Sequence, residues 1–227
     1  MRVDKFLSEC GYTRKQADNL IKSKRVKLNN VIINKKDTKI NENIDKIYVD
    51  DEKCEYKKFV YIMLNKPSGI LSATEDKTQK TVISLLPEKL QKQSLFPVGR
   101  LDKETVGLLI LTNDGDYCHR MISPKRNISK KYYFELADEF YDDEIKKIEN
   151  GIQLKDGYNT LPCKVEKTSS KSGYITITEG KYHQIRRMFG AIGNKVVFLE
   201  RIQEGKLKLD KNLARGEWRY LETKEIE

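Results

Sequence analysis

The chain has 227 residues and carries 44 lysines and arginines against 34 aspartates and glutamates, a net charge of +10. This length is sufficient for two domains, and the basic excess favours a polyanionic partner without identifying one. No apolar run approaches the roughly 20 residues that span a bilayer, and the first residues lack the apolar segment of a signal peptide. We therefore expect a cytoplasmic protein with no membrane partner.

The sequence also argues against several kinds of chemistry. Its four cysteines are far apart and form no C-x-x-C pair, and only two histidines accompany them. This composition predicts reduced thiols and no metal site. There is no glycine-rich phosphate loop and no G-x-S-x-G elbow that would present a nucleophilic serine. We therefore predict no structural zinc site and no nucleotide-binding phosphate loop.

The first 40 residues predict two short helices and a β-hairpin. Apolar residues recur at helical spacing from Val3 to Cys10, and Gly11 follows as a helix stop. Thr13 and Gln16 have the spacing of a capping box, which opens a second helix. Two β-branched runs then flank Asn29-Asn30, a pair that tolerates the positive φ angles of a tight turn.

Basic residues are concentrated in this region. Nine lysines and arginines lie between Arg14 and Lys39, where only two acids accompany them. They could form either a solvated charged face or a surface that binds phosphates. The residues that we expect to make such phosphate contacts are Arg14, Lys15, Arg25 and Lys27.

Residues 1 to 49 resemble a known RNA-binding module. The stretches RVDKFLSECG, TRKQADNLIKSKRVKLNN and INENIDKIYV are similar to the domain named after ribosomal protein S4, although Lys24 and Asn30 stand where that family usually has glycine. Residues 50–57 are polar and are predicted to form a linker. We therefore predict an S4-type RNA-binding domain with its linker over residues 1–56 and a second domain over residues 57–227.

From Phe59 onward the pattern changes to alternating strands and helices. Strands are predicted at 59–64, 107–111, 131–137, 173–178 and 195–202. Helices are predicted at 81–90, at 142–151 and around Arg186. The turn Asn113-Asp114-Gly115 is predicted to close the second strand. This mixture indicates an α+β fold with a mixed, mainly antiparallel sheet.

Asp102 is the first candidate for chemistry in the larger domain. It stands in the loop GRLD, two residues after Arg100 and just before an apolar strand. A carboxylate beside a guanidinium stays ionised and can act as a nucleophile or a base. From the residues alone, a structural role is favoured, in which Asp102 merely caps a loop or pairs with Arg100.

Aromatic and basic residues supply the other candidates. Tyr132 and Tyr133 alternate on a predicted strand, so one of them is expected to be buried. Arg186 and Arg187 could form a solvated helix face, and His183 could be a hydrogen-bonding residue at the helix start. Rings beside basic groups also suit a nucleotide base that has been flipped out of folded RNA.

The order of motifs resembles that of one enzyme family. LNKPSG, GRLDKETVGLLILTNDG, SKKYYFEL and EGKYHQIRRMFGAIGN occur in the order found in pseudouridine synthases of the ribosomal small-subunit and large-subunit group. With the S4-type domain, the likeness covers essentially the whole chain. It implies an enzyme that extrudes a uridine, breaks its bond from nitrogen to the ribose, and reattaches the uracil through carbon 5 without a cofactor.

The resemblance also implies roles for individual residues. Asp102 would be the catalytic aspartate, which either attacks the ribose or removes a ribose proton. Tyr132 would stack on the base, and Arg186 would pair with Asp102 and keep it ionised. Val106 stands where many relatives have glutamate. The residues expected to contact RNA around this centre are Arg100, Lys130, His183 and Arg187.

The RNA target is suggested by smaller features. The chain lacks a long basic tail, and DGDYCHRMISPK follows the glycine turn, as in small-subunit enzymes. We therefore expect a monomer that modifies one uridine of small-subunit ribosomal RNA. The alternatives are a uridine in large-subunit or transfer RNA, and a non-catalytic RNA-binding protein that assists ribosome assembly.

Overall fold

The computed structural model describes residues 1–42, 44–54 and 58–226, and its contacts divide the chain into two compact units. The first unit is Met1–Phe59 with Pro87–Leu95, and the second is Val60–Leu86 with Phe96–Glu227. The first unit thus includes Pro87–Leu95, which lies beyond the domain boundary predicted at residue 56. That boundary remains a prediction. Within the described ranges, no helix combines the length and hydropathy needed to cross a membrane.

The first unit packs two helices against a small sheet. Helix α1 (Val3–Glu9) and helix α2 (Arg14–Lys22) lie where their apolar spacing predicted them, and Thr13 and Gln16 form the capping box. The four strands are β1 (Val26–Leu28), β2 (Val31–Ile32), β3 (Ile47–Val49) and β4 (Glu52–Lys53), in the order β2-β1-β3-β4. Their apolar side chains bury a separate core.

The predicted linker is partly wrong. Residues 50 and 51 form the turn of a hairpin, and β4 then pairs with β3. Asp50 and Asp51 both have positive φ angles, which aspartate tolerates better than most residues. The rest of that stretch, residues 55–57, lies outside the described residues. The sequence prediction missed this hairpin because two-residue strands carry no periodic signal.

The helix predicted at 81–90 is broken. A 3₁₀ turn covers Ile83–Leu85, and helix α3 (Glu88–Gln91) begins after Pro87. Leu86 is extended, with φ −88° and ψ 155°, because the proline ring disfavours helical geometry in the preceding residue. The apolar spacing continues across this break, which explains the incorrect prediction of a single helix.

The second unit is built on a nine-stranded sheet, counted over the described residues. Its main path is β13-β5-β7-β11-β8-β10-β9, with β6 beside β7 and β12 beside β11. The strands are β5 (Tyr61–Lys66), β6 (Phe96–Pro97), β7 (Val106–Thr112), β8 (Lys130–Leu136), β9 (Lys164–Lys167), β10 (Ser172–Ile177), β11 (Val196–Glu204), β12 (Leu207–Lys208) and β13 (Trp218–Tyr220). Across this described sheet, only β7 and β11 pair in parallel, so the mixed, mainly antiparallel prediction is confirmed.

Four helices accompany this sheet in the described part of the unit. They are α4 (Gly115–Ile122), α5 (Asp142–Glu149), α6 (Gln184–Ala191) and α7 (Thr223–Ile226). Helix α4 was missed in the sequence analysis, because Asp114 was interpreted as part of a turn that closes strand β7. Asp114 is instead the N-cap residue of the helix. Its carboxylate accepts a hydrogen bond from the backbone N–H of Tyr117 at 3.0 Å and so caps the new helix.

Aromatic packing fixes helix α6 against the sheet. The rings of Phe189 on α6 and Phe134 on β8 lie 4.6 Å apart, and Phe140 contacts both. Ile185 and Met188 complete the buried face of the helix, as their spacing predicted. Burial of these large rings holds the helix in one orientation on the sheet, which positions Arg186 on the same helix.

The backbone at Lys24 yields a stability prediction. Lys24 has φ +57°, a left-handed conformation that costs a residue with a side chain about 1 kcal/mol or more. We expect Lys24→Gly to raise the free energy of unfolding by roughly 0.5–1 kcal/mol, since glycine adopts this conformation freely. Thermal denaturation would measure the change. Lys22→Gly, inside helix α2, should have the opposite sign; destabilisation by both would contradict this interpretation.

Candidate active site

A buried lysine anchors the loop that carries Asp102. Lys66 ends strand β5, is fully buried, and donates hydrogen bonds to the carbonyl oxygens of Pro67, Lys103 and Thr105 at 3.1, 2.9 and 2.9 Å. Burial lowers the pKa of Lys66 to about 8, and the charges of nearby Glu104 and Asp102 oppose that shift. The Lys66 ammonium thus fixes the loop that carries Asp102. It also places a positive charge close to Asp102.

Two further contacts fix the same loop. The Ser72 hydroxyl donates to the carbonyl of Leu101 at 2.9 Å and accepts from its N–H at 3.2 Å. The N–H of Gly69 donates to the carbonyl of Lys103 at 2.9 Å. The residues on both sides of Asp102 are therefore bound to the segment that follows β5, which explains why the LNKPSG and GRLD motifs belong together.

Asp102 itself is half-buried and faces helix α6. Its Oδ1 lies 3.7 Å from His183 Nε2, and its Oδ2 lies 3.9 Å from Arg186 Nε. The Thr105 hydroxyl donates to Oδ2 at 3.5 Å. Arg186 also donates from Nη1 to the carbonyl of Val196 at 3.0 Å, which ties its guanidinium to strand β11. Asp102 therefore lies between an imidazole and a guanidinium, and within the described part of the chain its two oxygens are 3.5 to 3.9 Å from these partners and Thr105.

Tyr132 forms a wall shared by two adjoining cavities. It lies on β8, is buried, and lines both a cavity of about 70 Å³ that contains Asp102 and one of about 310 Å³. Arg100 and Lys181 also line both cavities. Burial raises the pKa of the Tyr132 hydroxyl, against the opposing charge of nearby Arg201. Tyr132 is the inward member of its pair, whereas Tyr133 packs against Tyr174 and Phe198.

Lys130 also lines the larger cavity. It donates a hydrogen bond to the carbonyl of Ile128 at 3.2 Å. Burial lowers the pKa of Lys130, and the negative charge of Glu204 opposes this shift. The structure thus brings together Asp102, Tyr132 and Arg186 with three of the predicted RNA contacts, namely Arg100, Lys130 and His183.

Two ion-paired residues of the larger cavity escaped the sequence analysis. Arg201 and Glu204 are each 1% exposed, and their side chains pair at 3.2 Å. Residues three apart on a regular strand face opposite sides, but a register irregularity in β11 between Arg201 and Gln203 interrupts the alternation. The charged residues near the apolar run of β11 were the signal that could have identified this pair. The sequence alone does not reveal the register irregularity that brings the two side chains together.

The remaining predicted residues lie away from Asp102 or in the first unit. Arg187 pairs with Asp156 at 2.5 Å. Arg14 and Lys15 are exposed at the start of α2, as the prediction of a basic surface requires. Arg25 pairs with Asp50, and Lys27 pairs with Asp51 at 2.5 Å, so the hairpin acids partly neutralise this surface. Among the described residues, no group of three potential metal-binding side chains occurs.

Comparison with known proteins identifies the family. Residues 60–191, more than half of the chain, match the family described as RNA pseudouridylate synthase. The chain belongs to that family. Residues 1–43 match the S4 domain, so the two-part resemblance and the assignment of an isomerase are confirmed.

Relatives cover the synthase from end to end. It is 42% identical to the RNA pseudouridine synthase YtzG of Bacillus subtilis, over 100% of this chain and 97% of that one. It is 40% identical to ribosomal small subunit pseudouridine synthase A of Vibrio cholerae, over 100% and 98%. A crystal structure of a pseudouridylate synthase superimposes with a TM-score of 0.71 at 38% identity, over 100% and 98%.

The anchoring of the loop yields a prediction for Lys66→Met. The substitution removes three hydrogen bonds to carbonyl groups, of which that of Lys103 keeps its bond from the N–H of Gly69, so we expect a loss of about 3 kcal/mol in the free energy of unfolding. Pseudouridine formation should fall even where the variant remains folded, because Asp102 loses its support. Lys103→Met is the control, since the exposed Lys103 side chain bonds only to Gln79 in this region. Stability and activity unchanged in Lys66→Met would refute the anchoring role.

Proposed function

We propose that this synthase isomerises one uridine of small-subunit ribosomal RNA, with Asp102 as its catalytic carboxylate. The observation that carries the proposal is the position of Asp102, held in a cavity beside Tyr132 and facing Arg186. Full-length relatives named as small-subunit synthases support the choice of RNA. The S4 domain supports an RNA substrate as well.

The reaction balances without an external reagent. The bond between N1 of uracil and C1′ of ribose breaks, and a bond between C5 and C1′ forms. C5 loses a proton and N1 gains one, so substrate and product are isomers and no electrons are transferred. The chemistry therefore needs a group that activates the ribose, walls that retain the freed base, and a path for one proton.

The side chains around Asp102 match these needs. An unprotonated Asp102 can attack C1′ or remove a ribose proton, and both routes use the same carboxylate. Arg186 and His183 present positive or polar atoms toward its two oxygens. Tyr132 supplies a buried aromatic wall on which a flipped base can stack. Its raised pKa keeps the hydroxyl protonated at neutral pH, where it can donate a hydrogen bond.

The first unit is proposed to position the RNA. Arg14 and Lys15 are exposed and can contact phosphates directly. Arg25 and Lys27 pair with Asp50 and Asp51 on the surface, where ion pairs are weak enough for a phosphate to replace the carboxylate. Phosphate contacts of this kind fix register on the RNA, whereas the cavity of the second unit selects the base.

The test is to map pseudouridine in ribosomal RNA from a strain that lacks this protein. We expect one small-subunit position to return to uridine, and wild-type protein to restore it. Asp102→Asn should fail to restore it while keeping RNA affinity within a few fold, because the phosphate contacts remain. Asp116→Asn, an exposed position on α4, is the matched control. Loss of a large-subunit or transfer RNA site would redirect the proposal, and an active Asp102→Asn variant would overturn the catalytic assignment.

Arg186 and Arg187 form a second matched pair. Arg186 faces Asp102, whereas its neighbour Arg187 pairs with Asp156. We expect Arg186→Met to reduce the single-turnover rate by at least about 100-fold, because the carboxylate loses its nearest guanidinium. At saturating RNA, Arg187→Met should retain a rate within a few fold of the wild type, because loss of an RNA contact mainly weakens binding. Equal single-turnover rates for the two variants on the same RNA would show that the effect of Arg186 on the rate does not depend on its proximity to Asp102.

A further inference from the structure

An exposed aromatic ring lies next to the cavity that contains Asp102. Tyr182 is 77% exposed, yet its ring stacks on that of His183, with the two ring centroids 3.9 Å apart and the ring planes 16° apart. His183 in turn lines the cavity and places its Nε2 3.7 Å from Asp102 Oδ1. Because His183 covers one face of the Tyr182 ring, the exposed face is the one turned away from His183.

Hydrogen bonds fix the segment that carries the two rings. The buried Gln184 side chain accepts from the N–H of Lys181 at 2.9 Å and donates to Glu179 Oε1 at 2.6 Å. Arg187 Nη1 donates to the carbonyl oxygen of Tyr182 at 3.3 Å. These contacts tie the chain that precedes helix α6 to the helix itself. The exposed ring is therefore presented on an ordered segment, which lowers the entropy cost of binding a partner.

The backbone of His183 has an uncommon conformation at this point. Its φ is +49° and its ψ is 31°, the left-handed region in which residues with a side chain are uncommon. Such conformations cost free energy and cluster at sites that bind ligands or perform chemistry. At His183 the conformation sets the imidazole close to Asp102 with the ring of Tyr182 stacked on it. An RNA chain whose uridine reaches Asp102 would pass beside this pair of rings.

Unpaired nucleotides bind aromatic side chains through their bases. Stacking of a base needs an open ring face, and cationic groups nearby contact the phosphates of the same strand. Lys181, which precedes Tyr182 in the chain, is exposed and can make such a contact. We propose that the outer face of Tyr182 is a stacking subsite for the RNA base that adjoins the target uridine. This subsite rests on the proposed position of that uridine beside Asp102.

Coverage of one ring face by His183 limits what Tyr182 can bind. A side chain that filled the gap left by a flipped uridine would need two open faces, because a base lies on each side of that gap. Tyr182 has one open face and can therefore stack on one base. Since every base has a π face, this contact selects no particular base. The subsite therefore holds the strand in position beside Asp102 and does not read its sequence.

The test is a double-substitution cycle on RNA affinity. The RNA is a fragment around the uridine that this synthase converts, and the base on its 5′ or its 3′ side is removed to leave an abasic nucleotide. All proteins carry Asp102→Asn, so that affinity is measured without turnover. We expect Tyr182→Ala to weaken binding of the intact RNA roughly ten-fold, as loss of one stacking side chain does. One of the two abasic RNAs should show the same loss, and Tyr182→Ala should weaken its binding no further.

Salt dependence and matched variants separate stacking from other causes. The slope of log affinity against log salt should not change in Tyr182→Ala, because the ring neutralises no phosphate. Tyr182→Phe should bind as tightly as the parent protein, since it keeps the ring face. Tyr141→Ala is the control, because Tyr141 is also 60% exposed but lies at the start of helix α5. It should leave the affinity unchanged.

Two results would overturn the subsite. One is an unchanged affinity in Tyr182→Ala. The other is a Tyr182→Ala loss that persists in full on both abasic RNAs, which would show that the ring acts through His183 and not through a base. Conversion of the uridine by Asp102→Asn would contradict only the catalytic assignment. The affinity comparison would still test the stacking subsite, because the reaction leaves the adjoining base unchanged.

Discussion

One buried ammonium group positions the loop that carries Asp102, the proposed catalytic carboxylate. Lys66 belongs to a strand of the sheet, but its three hydrogen bonds all go to backbone carbonyls that follow strand β5 or Asp102, namely those of Pro67, Lys103 and Thr105. Burial of a lysine costs free energy unless its ammonium group is hydrogen-bonded. Movement of these loops away from Lys66 would leave a buried charge without hydrogen bonds, and this cost keeps them in place. The loop is therefore as rigid as the strand, which is what precise placement of Asp102 requires.

The same constraint extends across the sheet through one row of residues. Lys66 is the cross-strand partner of Gly107, Gly107 of Arg201, and Arg201 of Tyr132. Gly107 has φ +100°, and a Cβ atom there would lie 2.3 Å from the carbonyl oxygen of Arg201. Only glycine permits this close parallel approach of two strands. The row thus joins the support of Asp102 to the aromatic wall.

Local sequence signals predicted the residues of the candidate site unequally. Asp102, Tyr132 and Arg186 belong to distinctive motifs, so their grouping could be proposed before any contact was known. Glu204 could not be placed, because only the irregularity in β11 shows which face it occupies. The break at Pro87 was missed for a related reason. Apolar periodicity predicts the interior of elements well, whereas breaks and irregularities depend on individual backbone conformations.

Asp102 makes only long contacts with the side chains that the structure describes. These neighbours lie at 3.5 to 3.9 Å, longer than ordinary hydrogen bonds, so none of them holds its oxygens tightly. A carboxylate whose oxygens were held by short hydrogen bonds would be less reactive toward the ribose. Catalytic hydrogen bonds commonly shorten only when substrate excludes water and strengthens the surrounding charges. In the proposed reaction, entry of the base against Tyr132 would therefore supply the enclosure that the half-buried Asp102 lacks, so that binding of the nucleotide would also complete the proposed active site.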